Sequence, residues 1–358
     1  MSFTRTAPVQ HDTIEGVPEP SEHAHLVGHA EAADLVAGAF RAGRLHHALL
    51  LAGPAGIGKA TLAFRLAFHL LGNRDPSQAP AALELPDPTS PLFRSIAQNA
   101  HPSLLYLTRP ANDRTKGFKT VITVEEIRRL GRFLAMTSHD GGHRVVIVDP
   151  VDDLNTSAAN ALLKGLEEPP PRTVFILIAH SPGRLLPTIR SRCQTLRLQP
   201  LADADVLAVL GQLGLPVPDD TGARAALAQR AEGSVRNAIL LTEYGGLEIA
   251  GAIDALLDAP AFDGAAAARL ADAVTGREQA MQFDLFNDHL LGSLAARAAD
   301  AARAGAARAA DRLAAGWSDI RRATVETDTF NLDRRQHAMS QLMAAHRAVQ
   351  AARMPDAA

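Results

Sequence analysis

The chain has 358 residues, enough for two or three domains, and its 47% apolar and 21% charged content is that of a folded globular protein rather than a disordered one. A formal net charge of −3 gives no overall drive toward nucleic acid or anionic membranes. The single cysteine, Cys193, excludes an internal disulfide framework and any multi-thiolate zinc site, and points to a reducing, cytoplasmic setting. Residues 1–25 are polar and Pro-containing, with no apolar core of a signal peptide and no membrane span, and are expected to form a flexible tail.

From Val27 to about Phe40 apolar residues recur at helical spacing, and Ala48 to Ala52 is a short apolar run suited to a buried strand. A Gly-rich turn follows, GPAGIGKAT (53–61), and then a helix-forming stretch that stops at Gly72. Residues 73–100 read as a surface insertion rich in Pro, Asp, Ser and Gln. SLLYL (103–107) is a candidate strand and 109–120 a loop. Residues 123–136 are expected to be a helix, with Thr123 at its N-cap and Glu126 at the capping-box position. The apolar runs 143–149 and 173–180 have the pattern of parallel strands buried on both faces. Between them lies a helix over 155–168, capped by Asn155 and ended by three prolines. Alternating strands and helices predict an α/β domain over 26–200, and everything beyond reads as helix, with boundaries near 200 and 247.

The G-x-x-x-x-G-K spacing between a strand and a helix is that of a phosphate-binding loop. Gly53, Gly56 and Gly58 would turn backbone N–H groups toward a polyphosphate, and Lys59 would reach its β and γ phosphates. The bland alternative is a Gly-rich turn without a ligand. Position 60, where a hydroxyl would hold Mg²⁺, is alanine; Thr61 lies one residue on, about 100° round the helix. Asp149, at the end of VVIVD on what should be a neighbouring strand, suits the acidic half of such a site. The water-polarising glutamate expected after it is Pro150, and Asp152 or Asp153 either substitutes for it or serves as a turn or cap residue. Two departures thus fall on one step, phosphoryl transfer. Arg192, in IRSRCQ, is either a surface arginine or one that reads a γ-phosphate across a subunit boundary. Arg236, in GSVRNA, is either a helix-surface arginine or a second nucleotide contact.

With these pieces in order, residues 26–245 resemble the clamp-loader branch of the AAA+ ATPases, to which the delta-prime and tau/gamma subunits of bacterial DNA polymerase III belong. The resemblance rests on VGHAEA, GRLHHALLLAGPAGIGKAT, VEEIRRL, RVVIVD, NALLKGLEEPPPRTVFILIA, IRSRCQ and GSVRNA. It implies a RecA-like AAA+ sheet domain (26–200), a small helical lid (201–247) and a helical collar (248–358) that assembles a pentamer. Ala60 and Pro150 align the chain with the stationary, non-hydrolysing members rather than the motor subunits. Such a subunit sits beside tau/gamma and delta, presents Arg192 in trans to the neighbour's ATP, and helps load the beta sliding clamp onto primed DNA.

The same resemblance implies ATP or ADP in a degenerate site formed by Gly53, Gly56, Gly58, Lys59, Thr61, Asp149 and Arg236. Zinc is not carried over, because the family's four-cysteine module is replaced by a cysteine-free insertion. Two rivals remain: a tau/gamma-like motor subunit with its own active site, and a direct DNA-binding module. Cys193 is expected to be a small buried residue, and His46 and His47 packing or helix-end residues, not metal ligands. The stretch 332–346 suits either a subunit seam or an internal helix.

Overall fold

The computed structural model describes residues 4–112, 117–136, 141–276 and 279–353. Residues 113–116 of the expected loop lie outside the described residues. The chain divides into two compact units, Met1–Asn237 and Ala238–Ala358. The division falls inside one helix, between the boundaries expected near 200 and 247.

The first unit is built on a parallel sheet of five strands, β1 (Ala48–Ala52), β2 (Leu104–Leu107), β5 (Arg144–Val148), β6 (Thr173–Ala179) and β7 (Gln194–Arg197). Their spatial order is β2-β5-β6-β1-β7. A two-residue ladder, β3 (Ala111–Asn112) with β4 (Gly117–Phe118), interrupts the stretch expected to be loop. Strand residues alternate between two apolar layers, as the pleat requires. Leu49, Leu51, Ile147, Ile176 and Ile178 meet α1 (Ala30–Arg41) and α2 (Lys59–Gly72) through Val36, Phe40, Leu62 and Leu66. Leu50, Val146, Val148, Phe175 and Leu177 meet α4 (Val124–Ala135) and α5 (Thr156–Glu167) through Ile127, Leu130, Leu162 and Leu166. Burial on both faces is why three of these strands read as unbroken apolar runs.

The fifth strand, β7, went unpredicted. It lies at the sheet edge, pairs only with β1, and buries Leu196 alone of its four residues. Such a short run inside a polar stretch carries almost no periodicity.

Asn155 caps α5 as expected, its side chain accepting from the Ala158 amide at 2.9 Å. The capping box at α4 does not form: Thr123 holds the N-cap position but makes no side-chain cap bond, and Glu126 pairs with Arg129 at 2.6 Å. In the insertion, α3 (Pro91–Ala97) buries Phe93, Ile96 and Ala97, so apolar packing anchors that segment. A four-residue helix, α6 (Pro187–Arg190), precedes β7; α7 (Asp203–Gln212) and α8 (Thr221–Ala231) follow it, and α9 (Val235–Glu243) crosses into the second unit.

The segment from 4 to 25, expected to be a flexible tail, follows a defined course instead. Ile14, Val17 and Ala24 are buried. Arg5 pairs with Glu19 and donates to the carbonyls of Ile14 and Val17, both at 2.8 Å. Glu22 gathers the amides of Thr6, Ala7 and Glu19 at 2.6, 3.0 and 3.0 Å. Two charged staples thus order a stretch whose few apolar residues show no period.

The second unit is helical: α10 (Gly246–Asp258), α11 (Gly264–Val274), α12 (Ala280–Arg303), α13 (Ala307–Phe330) and α14 (Arg334–Arg353). They enclose a core that includes Phe283, Phe286, Leu290, Ile320 and Leu342. Within it, His337 bridges Thr327 Oγ1 at 2.8 Å and Asn287 Oδ1 at 3.0 Å, which satisfies three buried polar groups together. Within 332–346, Ala338, Leu342 and Ala345 are buried in this core, as the internal-helix reading requires. No helix among the described residues is long and apolar enough to cross a membrane.

Candidate nucleotide site

Parallel α/β sheets bind ligands at the carboxyl ends of their strands, and the Gly-rich loop leaves β1 at that edge. Gly53 donates its amide to the Ala179 carbonyl at 3.2 Å, and a Cβ there would lie 2.4 Å from the Leu198 carbonyl oxygen. Gly56 has φ +74° and is crowded by Ser234 and Arg236, to which a Cβ would come within 2.2 Å of Oγ and 2.6 Å of Cβ. Gly58, with φ +96°, starts α2.

Lys59 is buried, and its ammonium folds back onto the loop, donating to the carbonyls of Gly53 at 2.7 Å and of Pro54. Burial pushes its pKa down to about 8, against the pull of Asp149 and Asp152. Ala60 packs against the α1–α2 core layer, and Thr61, half-buried, occupies the first turn of α2. His29, which sequence reasoning passed over, ties the loop to α1: its Nε2 lies 2.7 Å from the Ile57 carbonyl. The only signal for it was its place in VGHAEA.

Asp149 follows β5, but that strand does not neighbour β1, because β6 lies between them. Asp149 accepts a hydrogen bond from the buried-side hydroxyl of Tyr106 at 3.1 Å. Burial, with Asp12 adding its own negative charge, raises the Asp149 carboxyl to about 7, while Tyr106 and Lys59 oppose the shift. Asp152 and Asp153 do not substitute for the missing glutamate. Asp152 accepts the amides of His180 and Ser181 at 2.6 and 3.0 Å, holding the turn after β6. Asp153 takes Nε of Arg109 at 2.5 Å.

These residues do not fit Mg²⁺. Position 60 offers a methyl group, and Asp152 is occupied by backbone amides. No metal-assisted step is derived from them.

The raised Asp149 carboxyl has a consequence for stability. The folded protein holds this proton from about pH 4 to about pH 7, where an unfolded aspartate has lost it, so stability falls as pH rises through that window. Above it the full cost of the buried charge remains. Asp149→Asn is therefore expected to stabilise the chain by about 2 kcal/mol at pH 8. Urea midpoints at pH 5 and 8 check this; the gain should shrink at pH 5.

Arg236 joins the loop through its backbone. The amides of Val235 and Arg236 reach the Gly56 carbonyl at 3.0 and 3.4 Å, bringing the start of α9 onto the phosphate loop. Its guanidinium donates to the Asp12 carbonyl oxygen and lies 3.9 Å from the Asp12 carboxylate. Nothing in the sequence linked Asp12 to this place. Arg192 is not drawn into the group. It pairs with Glu167 at the end of α5 at 2.6 Å and donates to the Thr188 carbonyl at 3.0 Å, with about a third of its side chain exposed. Cys193 beside it packs against the α4–α5 layer, and burial pushes its thiol up to about 11, which leaves it no nucleophilic character at neutral pH.

Residues 28–202 match the family model described as DNA polymerase III, delta subunit. A DNA polymerase III subunit delta' from Pseudomonas aeruginosa is 43% identical over 147 residues, 41% of either chain. One from Bacillus subtilis is 36% identical over 161 residues, 44% of either. The tau subunit of Escherichia coli is 32% identical over 229 residues, 63% of this chain and 33% of that one. The chain thus spans less than half the length of these delta' relatives. Residues 28–202, which carry the five-stranded parallel sheet and its Gly-rich loop, are similar in sequence to the delta' and tau subunits of DNA polymerase III.

Proposed function

We propose that the chain is a non-hydrolysing, delta-prime-type subunit of a clamp loader, standing beside a tau/gamma subunit and completing that neighbour's ATP site with Arg192. The observation that carries this is the separation of the two chemistries. The chain's own pocket offers Ala60 and Pro150 where phosphoryl transfer needs a hydroxyl and a base. Arg192 stands outside that pocket with its guanidinium part-exposed.

Its link to Glu167 does not disable it. A half-exposed ion pair is worth about 0–1 kcal/mol, and a polyphosphate offers the same fork a second, more highly charged acceptor. In this reading residues 201–247 act as a lid over a site for ATP or ADP. Residues 248–358 form the collar of an assembly with tau/gamma and delta, which acts on the beta sliding clamp and primed DNA.

The purified chain alone is expected to hydrolyse ATP no faster than its Lys59→Ala variant. Substantial turnover that disappears with Lys59→Ala would overturn the reading in favour of a motor subunit.

A further inference from the structure

The course of residues 4–25 brings Asp12 to the guanidinium that the nucleotide site would use. His11 and Asp12 lie between the end of β2 and the start of α9: His11 Nδ1 is 3.4 Å from Thr108 Oγ1, its ring sits edge-on to Phe118 at 6.5 Å, and Asp12 holds Arg236. Thr108 follows β2, whose Leu107 carbonyl accepts the Asp149 amide at 2.9 Å, so this crossing point is the carboxyl edge of the sheet. The charge of Asp12 is also felt at Asp149, where it helps hold the carboxyl protonated. An anionic side chain and a backbone oxygen therefore occupy Arg236 at the mouth of a pocket whose lysine is turned onto its own loop.

We propose that residues 4–25 are a built-in competitor for the nucleotide, with Asp12 standing where a phosphate would meet Arg236. It rests on the reading of this pocket as a nucleotide site and is independent of the trans role of Arg192. The segment is suited to displacement. The Asp12 carboxylate lies 3.9 Å from Arg236 and is solvent-accessible, the side chain being 53% exposed, and the segment has further anchorage besides this contact in the Arg5–Glu19 pair and the buried Ile14 and Val17. Nucleotide and segment cannot both hold Arg236, so each lowers the other's occupancy.

The test compares the full chain with Asp12→Ala and Arg5→Ala, titrating a ribose-labelled fluorescent ATP and reading its Kd. Both variants are expected to bind about tenfold more tightly or better. Arg5→Ala separates release of the segment from simple charge, because losing a positive charge would by itself weaken binding of an anion. Adding Lys59→Ala to either variant should abolish the gain. Equal Kd in all three chains overturns the proposal, and so does a gain that survives Lys59→Ala. Hydrogen exchange at the amides of Thr6, Ala7 and Val17, each bonded within the segment, distinguishes the two ways of failing. If Arg5→Ala frees those amides and Kd still does not move, the competitor proposal falls alone; if none of the chains binds the labelled ATP, the nucleotide reading of the pocket falls as well.

Discussion

Gly56→Ala is expected to destabilise the first unit by about 2–4 kcal/mol. Two costs add. The residue has φ +74°, where a Cβ costs about 1–2 kcal/mol through its own backbone. The new methyl would also stand 2.6 Å from the Arg236 Cβ and 2.2 Å from the Ser234 Oγ, so the start of α9 must lift away from the loop. That movement breaks the bonds from the Val235 and Arg236 amides to the Gly56 carbonyl and withdraws Arg236 from the pocket. Gly58→Ala is the control. Its φ of +96° carries the same backbone strain, but its nearest neighbour would be 3.9 Å away, so the loss should stop near 1–2 kcal/mol. Urea midpoints of the two variants make the comparison; equal losses would remove the close-packing account of Gly56.

Arg192→Ala is the substitution expected to matter most for activity. An arginine supplied in trans to a transferring phosphoryl group is worth about 10³–10⁵ in rate at the site it serves. If Arg192 serves a neighbour's site as proposed, the loss at that interface should therefore be close to total, while sites between other subunits keep turning over. Stability should hardly change, since the variant gives up only a half-exposed pair with Glu167 and a bond to the Thr188 carbonyl. Arg192→Lys should rescue little, because a single ammonium cannot reproduce the planar two-point contact.

How much of this was legible in the sequence follows from how each part is held. Strands β1, β5 and β6 could be read because burial on both faces forces continuous apolar runs, and the loop could be read because its glycines obey a fixed spacing. The edge strand β7 could not, since one buried leucine makes no pattern. Asp149 was placed at a strand end but one strand too close to the loop, because sequence order does not reveal that β6 inserts between β1 and β5. The segment 4–25 was hidden more deeply. Its order comes from Arg5 reaching Glu19 and from Arg236 reaching back to Asp12, 224 positions away, and charged residues in a Pro-rich stretch look the same whether solvated or paired. Asp152 likewise could be read as base or cap, and only its bonds to the His180 and Ser181 amides decide for the cap.

The most direct test of the central claim is DNA-stimulated ATP hydrolysis by this chain reconstituted with the proposed partners, a tau/gamma and a delta subunit, comparing Lys59→Ala with Arg192→Ala. If the chemistry lies in the neighbour's site, Lys59→Ala leaves the rate essentially unchanged and Arg192→Ala removes the share contributed by the interface this chain completes. A rate that falls with Lys59→Ala and is indifferent to Arg192→Ala would contradict the account.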